Sequence, residues 1–387
     1  MFMYAAHKRS WLTVGFIFLN MAILGLVQSA RGPVLPFMQT EYGLSYSRLA
    51  FLITICSVGM LLGVLVGGRI CERFGYRKGL LLVTAIMFVS LWALQLHSGF
   101  AFLVINFFFV YLALGWIDIA LNALGSRIFI TKTAILMSVT HFFFGVGSAA
   151  GSQYAGLMLA QNISWRLIFM SVLILYTVSL ALFFFVKFPD IQPKEQTDNA
   201  SSLNLIRDVR VWLCFGMIGL CVMFEFGIAN WLVIYLRDSH HMNPSASASY
   251  LSLYFVLFSI GRLFGGLIAE KLGYLKTLFI CILSSATLFF LGIMTGNALL
   301  FSGVGLFSSV FFPLFLSIVV KEFKEDAPAV INVIIPLNSV LFMTSSIVLG
   351  ILMERIGVQI GFYVLGSFLL IAPAFLFLLK KKFVHKV

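Results

Sequence analysis

The chain is 387 residues long; 61% of them are hydrophobic, 10% are Asp, Glu, Lys or Arg, and the formal net charge is +12. A soluble domain carries about a quarter charged residues, so this composition excludes a water-solvated exterior and requires one that faces lipid. The 26 Lys and Arg fall in short clusters between apolar runs, the pattern of lipid headgroup contact and topology signals rather than of a nucleic-acid footprint, and no nucleic-acid partner is expected.

A helix needs about 20 residues to cross the hydrocarbon. The N-terminal "MFMYAAHKRSWLTVGF" is basic at its start, but its apolar run continues far past a signal-peptide core, so it reads as a retained first helix. Twelve such runs follow one another at roughly 11–38, 47–70, 79–97, 101–125, 134–160, 165–187, 211–235, 249–270, 275–294, 298–320, 331–353 and 358–379. The polar stretch "KFPDIQPKEQTDNASSLNLIRDVR", residues 187–210, separates six from six. The expected fold is an all-α membrane protein: twelve transmembrane helices in two pseudo-symmetric six-helix bundles, residues 1–190 and 211–387, joined by a cytoplasmic linker over 191–210. With both termini cytoplasmic, the outer segments hold only Arg48, Arg166, Arg237 and Arg355, the spans hold Arg31 and Arg262, and the remaining twenty basic residues lie inside. That asymmetry obeys the positive-inside rule and predicts a multi-pass protein of the cell (inner) membrane.

One sentence is written twice. "GGRICERFGYRKGL" at 67–80 and "GGLIAEKLGYLKTL" at 265–278 agree at eight of fourteen positions, 198 residues apart, each closing an apolar run. This is an internal repeat, and it makes the halves similar units. Both copies are expected as cytoplasmic turns. Gly63, Gly67 and Gly68 let the second span approach a neighbour closely. Gly75 stops the helix, Glu72 can pair with Arg73 or Arg77, and Arg77 and Lys78 hold the turn inside. Gly68, Glu72, Arg73, Gly75, Arg77 and Lys78, with Glu270 and Lys271 in the second copy, form an expected conformational latch between halves that rock.

Five ionisable groups fall inside the spans: Arg31, Asp118, His141, Glu225 and Arg262. Each costs roughly 2.5–3.5 kcal/mol there even on lenient insertion scales and is expected to face a central cavity. Asp118 and His141 lie about seven residues, roughly 10 Å of rise, from the inner ends of consecutive spans, a level at which they can hydrogen-bond. Asp118 shares a face with Asn122 and Gly115 and is expected as a protonation site. Asn20, Gln28 and Arg31 fall within one broad face of the first span. Adding the repeat offset to Gln28 reaches Phe226, beside Glu225, which reads equally as a second proton site, an acceptor for a hydroxylated substrate, or a counter-ion of Arg31. Asn230 follows on that span, and Trp231 offers a stacking surface. Arg262 reads as structural. Pro313, Asn332, Pro336 and Asn338 suggest a bendable gate in the second half. The five cysteines lie in or at the ends of apolar runs without metal spacing, so no metal is expected.

The order Gly68, Glu72, Arg73, Gly75, Arg77, Lys78 resembles the signature loop of the major facilitator superfamily, and with twelve spans split six and six the resemblance covers the whole chain. At finer grain "GWIDIALN", "HFFFGVG", "FEFGIANW" and "GRLFGG" resemble the fucose-permease branch, proton-coupled importers of fucose, galactose and glucose. That resemblance implies a role for Asp118 in proton coupling or sugar binding. Where the branch carries a carboxylate near the outer part of the first span, this chain has "SARGPVLP", with Arg31 and Gly32.

No G-x-x-x-x-G-K-[ST] sequence is present, so ATP hydrolysis is not expected. Polar groups spread singly over five spans do not assemble a nucleophile, base and oxyanion donors, so an enzyme is not expected. The expectation is a secondary active transporter using alternating access, with protons, a lipid bilayer and a small-molecule substrate as its partners, a proton gradient in place of any cofactor, and a single chain as the working unit. A monosaccharide or related polyol comes first from the resemblance. An organic anion held by Arg31 is the alternative, since a guanidinium takes a carboxylate bidentately; an exporter of amphipathic compounds is third.

Overall fold

Hydrocarbon offers no water to backbone N–H and C=O groups, so an apolar run of this length satisfies them within itself, as helix. The computed structural model describes residues 9–96, 99–129, 133–186, 188 and 207–384, and these form thirteen α-helices: α1 (Arg9–Tyr42), α2 (Tyr46–Phe74), α3 (Tyr76–Ala93), α4 (Phe100–Ile128), α5 (Thr133–Ala160), α6 (Trp165–Phe183), α7 (Val209–His240), α8 (Pro244–Leu272), α9 (Tyr274–Thr295), α10 (Ala298–Ser308), α11 (Phe311–Phe323), α12 (Ala327–Ile356) and α13 (Val358–Val384). Among the described residues ten helical stretches are long and apolar enough to cross a membrane. One of them, Ala298–Ile356, runs for 59 residues and contains two crossings, α10 with α11 and then α12, parted by the charged "KEFKED" of 321–326. α5, 28 residues long, supplies a further crossing. The all-α, twelve-crossing architecture follows, with its tenth crossing in two pieces. Outward-facing Val89, Ile174, Phe185 and Met294 are 67–75% exposed, as a lipid-facing exterior requires.

Polar residues sit where helices need ends. Ser45 caps α2 at Arg48 N, Ser164 caps α6 at Arg166 N, and Asp208 caps α7 by accepting from Arg210 N at 2.8 Å. Of the expected linker 191–210, residues 191–206 lie outside the described residues. Mid-helix hydroxyls turn back on their own backbone: Thr54 donates to the Ala50 carbonyl and Thr140 to that of Leu136, both at 2.8 Å. At the far end of α1, Arg166 donates to both carboxylate oxygens of Glu41 (2.9 and 2.5 Å) and Trp165 Nε1 to one of them (2.6 Å). This staples the end of α1 to the start of α6, a role for Arg166 beyond its place in the charge asymmetry.

The chain falls into two compact units, Met1–Lys194 with Asn243–Ser252, and Glu195–Met242 with Leu253–Val387. In the first, α1 packs along α5 and α2 along α4, backbone against backbone. A β-carbon on Gly63 would fall on the Leu112 carbonyl, one on Gly115 on that of Met60, and one on Gly147 on that of Ala22. Gly67 meets Trp116 in the same way, whereas Gly68 has only Ile119 Cγ1 at 3.8 Å. The opening turns of α8 in this unit are tied by Ser152 to the Ala248 carbonyl (3.0 Å) and by Ser252 to that of Ala149 (2.8 Å). In the second unit the repeat restates the seam: Gly261, the counterpart of Gly63, lies on the Leu306 carbonyl, and Gly305 on that of Tyr254.

The duplicated sentence turns each time on a glycine with φ near +90°, Gly75 at 94° and Gly273 at 89°, a conformation that disfavours a side chain. The next residue opens the following helix and carries a cation over its ring: Arg127 stands 5.3 Å from the Tyr76 centroid and Lys321 5.9 Å from that of Tyr274. Glu72 forms no ion pair with Arg73 or Arg77 among the described residues; Arg73 lies over Phe74 instead. A third copy of the turn, Glu354, Arg355 and Gly357 (φ 100°), joins α12 to α13.

Substituting Gly63 by Val, which drives a branched side chain into the Leu112 backbone, is expected to cost about 3 kcal/mol or more. Gly266→Val, at a site with nothing within 4 Å, stays within about 0.5 kcal/mol. Thermal unfolding of the two purified variants in detergent checks the difference.

Candidate functional site

In the first unit the polar residues of α1 part company. Asn20 is spent on packing: its Oδ1 accepts from Ser179 Oγ on α6 and its Nδ2 donates to the Phe16 carbonyl, both at 2.8 Å. Gln28 turns toward α2, donating Nε2 to Met60 Sδ at 3.7 Å, and its Oε1 is buried with no hydrogen-bond partner. Arg31 is 5% exposed, with its guanidinium 4.6 Å over the Tyr111 ring and the Cys56 thiol within hydrogen-bond reach. The Tyr111 hydroxyl donates to the Gln28 carbonyl at 3.4 Å.

Tyr111, Gly115, Asp118 and Asn122 recur at i, i+4, i+7 and i+11, a single stripe along α4. Gly115 brings the stripe onto α2, with its Cα set against the Met60 carbonyl. Asn122 Nδ2 donates to Asp118 Oδ1 at 2.8 Å, and Asn122 Oδ1 is buried without a partner. His141 is half-buried on α5. Asp118 meets Asn122 within α4, while α5 packs chiefly along α1 and α4 chiefly along α2. One cation over an aromatic ring, two open amide oxygens and one carboxylate thus gather on α1 and α4. Such a set can take a carboxylate at one end, hydroxyls along its length, and a proton at Asp118.

In the second unit Glu225 is half-buried on α7, and the charged group in its electrostatic reach is Arg262 of α8. Arg262 lies 4.5 Å over the Phe258 ring and donates Nε to the Ser309 carbonyl at 3.3 Å. The Tyr254 hydroxyl shares a hydrogen bond with Ser308 Oγ at 3.2 Å. Asn230 and Trp231 are core residues, 2% and 1% exposed; α7 packs against both α12 and α13, so the indole face expected as a stacking surface is covered. Phe226, the counterpart of Gln28, meets Phe342 with ring centroids 4.9 Å apart and planes tilted by 42°. Sequence reasoning passed over Tyr111 and the engagement of Arg262. Tyr111 had a signal, standing seven residues before Asp118. Arg262 had none, because its partner is a backbone carbonyl far along the chain.

Tyr111→Phe keeps the ring beneath Arg31 and is expected to leave stability within about 0.5 kcal/mol. Tyr111→Leu removes the π-face and is expected to cost about 1–2 kcal/mol. Thermal unfolding of the two variants separates the ring's contribution from that of the hydroxyl.

The sequence profile described as Major Facilitator Superfamily matches residues 17–335 and 215–386. A cis,cis-muconate transport protein of Acinetobacter baylyi is 25% identical over 296 residues, 70% of each chain. A hexuronate transporter of Bacillus subtilis is 24% identical over 310 residues, 73% of this chain and 72% of its own. An MFS-type transporter of Yersinia pestis is 26% identical over 272 residues, 66% of each, so the chain spans just under two thirds of that relative. Among solved structures, a bacterial homolog of the human lysosomal transporter Spinster, inward-facing and unoccupied, matches with a TM-score of 0.78 at 14% identity over 98% of this chain and 99% of that one. A D-xylose–proton symporter matches with a TM-score of 0.75 at 13% identity over 95% and 97%. At such identities the two structures speak for the fold, while the profile takes in both halves of the chain. The glycine seams, the twice-used turn and the buried polar stripes are therefore those of a membrane transporter, and this chain belongs to the Major Facilitator Superfamily.

Proposed function

We propose that the chain is a proton-coupled secondary transporter that moves a small hydroxylated organic acid, of the sugar-acid class, by alternating access. One observation carries the reading: the buried Arg31 guanidinium on Tyr111 shares its part of the first unit with the open Gln28 Oε1, and the Asp118–Asn122 pair follows two turns along α4. A guanidinium binds a carboxylate bidentately, and amide oxygens accept from hydroxyls; a sugar acid offers both. The relatives named for muconate and hexuronate support the same choice. This moves weight from the neutral monosaccharide of the fucose-permease resemblance to the organic anion that stood second to it. An amphipathic cargo comes third, because the polar stripe of α4 would be left without partners. The basic-residue asymmetry supports a cytoplasmic location for both termini, and in this reading Asp118 is the proton carrier.

In proteoliposomes, uptake of labelled hexuronate is expected to be competed by sugar acids and not by neutral hexoses. Arg31→Lys, which keeps the charge but loses the planar fork, lowers that uptake about tenfold or more. Unchanged uptake in Arg31→Lys, or competition by neutral hexoses alone, returns the neutral sugar to first place.

Asp118→Asn is expected to abolish accumulation driven by an inward proton gradient while leaving exchange of internal for external solute measurable. Accumulation at the wild-type level in that variant removes Asp118 from the coupling.

A further inference from the structure

The tenth crossing is interrupted between α10, which ends at Ser308, and α11, which begins at Phe311. Pro313 explains why. A proline has no backbone N–H, so the carbonyl four residues earlier, that of Ser309, loses its helical donor. The neighbouring bonds survive, with Ser309 N donating to the Gly305 carbonyl (3.2 Å) and Leu314 N to that of Val310 (3.0 Å). In hydrocarbon an abandoned carbonyl is costly. Here the donor is Arg262: its Nε reaches the Ser309 carbonyl at 3.3 Å from α8, while its guanidinium rests on Phe258. The approach is possible because Gly261, next to Arg262, lets α8 lie directly on the Leu306 carbonyl and the Ser309 hydroxyl. Tyr254, two turns earlier on α8, meets Ser308 Oγ.

The same guanidinium stands in the field of Glu225 on α7. The titratable groups in reach of Glu225 are Cys221 on its own helix and Tyr254 and Arg262 on α8; those in reach of Arg262 are Glu225 and Tyr254. Among the described residues α10, α11, α12 and α13 add no other. The cation that holds the Ser309 carbonyl thus lies in the field of one carboxylate that titrates.

We propose that Arg262 is a positioning residue that pins the proline-interrupted tenth crossing through the Ser309 carbonyl, and that ionisation of Glu225 draws it off that carbonyl and loosens the interruption. With Glu225 protonated, the guanidinium stays on the carbonyl and the junction is held. With Glu225 charged, the carboxylate competes for the guanidinium, and the junction frees a hinge. Glu225 thereby acts on helix geometry within its own unit, whichever solute is carried.

Hydrogen–deuterium exchange of the peptide over residues 305–318 in lipid nanodiscs, at pH 5.5 and pH 8, tests this without any substrate, so its outcome is independent of the sugar-acid assignment. The wild type is expected to exchange faster at pH 8, after correction for the intrinsic pH dependence of exchange. Glu225→Gln holds the low-pH behaviour at both values. Arg262→Gln exchanges about tenfold faster than the wild type at low pH, the equivalent of one lost charge-assisted hydrogen bond. Pro313→Ala, which restores the backbone donor to Ser309, slows the junction, abolishes its pH dependence and rescues Arg262→Gln to within about twofold of the wild type. If Arg262→Gln does not fold, the two other single variants decide. A corrected pH dependence that persists in Glu225→Gln or in Pro313→Ala overturns the proposal, as does wild-type exchange in Arg262→Gln.

Discussion

A backbone polar group inside the bilayer has no water to fall back on, and this single constraint organises most of what the chain does. It makes each apolar run a helix. It turns hydroxyls such as those of Thr54 and Thr140 back onto carbonyls one turn away. It places the sidechain–backbone caps and the Arg166–Glu41 staple at helix ends. It also gives Pro313 a consequence that would be slight in a soluble protein, because the Ser309 carbonyl it strips of a donor must find another, and Arg262 is there.

With apolar side chains as comfortable in lipid as against protein, helices associate through close packing and polar contact. The glycine seams supply the first. Gly63 and Gly115 between α2 and α4, and Gly261 and Gly305 between α8 and α10, let carbonyls of one helix lie against the Cα atoms of the next. The two seams share an origin in the repeat, yet they serve different ends. In the first unit α4 runs unbroken and carries a buried to half-buried polar stripe, Tyr111 to Asn122. In the second, the corresponding crossing is interrupted and its neighbour α8 contributes the cation. One half carries a stripe of phenol, carboxyl and amide groups on an unbroken helix; the other carries an interrupted crossing.

The recurrence of Glu, a basic residue and then Gly at 72–75, 270–273 and 354–357 separates local geometry from latch chemistry. All three glycines adopt φ between 89° and 100° and end a helix. The third, between the eleventh and twelfth crossings, lies at the opposite end of its unit from the second, because one follows an even crossing and the other an odd one. Stopping a helix sharply is thus what this motif does everywhere. What distinguishes the two long copies is the tyrosine that follows and the cation set over its ring, Arg127 in one unit and Lys321 in the other.

The amino-acid sequence by itself determined the membrane class, twelve crossings, the pairing of halves through the repeat, and the buried charges worth attention, because each follows from composition, length or period along one chain. It also marked Asp118 with Asn122, four residues apart on one helix, and Pro313. Only the tertiary structure decided which helices touch. It set α5 on α1 and α4 on α2, gave Asp118 a partner on its own helix, covered Trp231, spent Asn20 on Ser179, and gave Arg262, read as structural, its partner in a carbonyl 47 residues away. Those outcomes depend on lateral packing, which is fixed by where small residues on different helices happen to face, and no periodicity within a single helix records that.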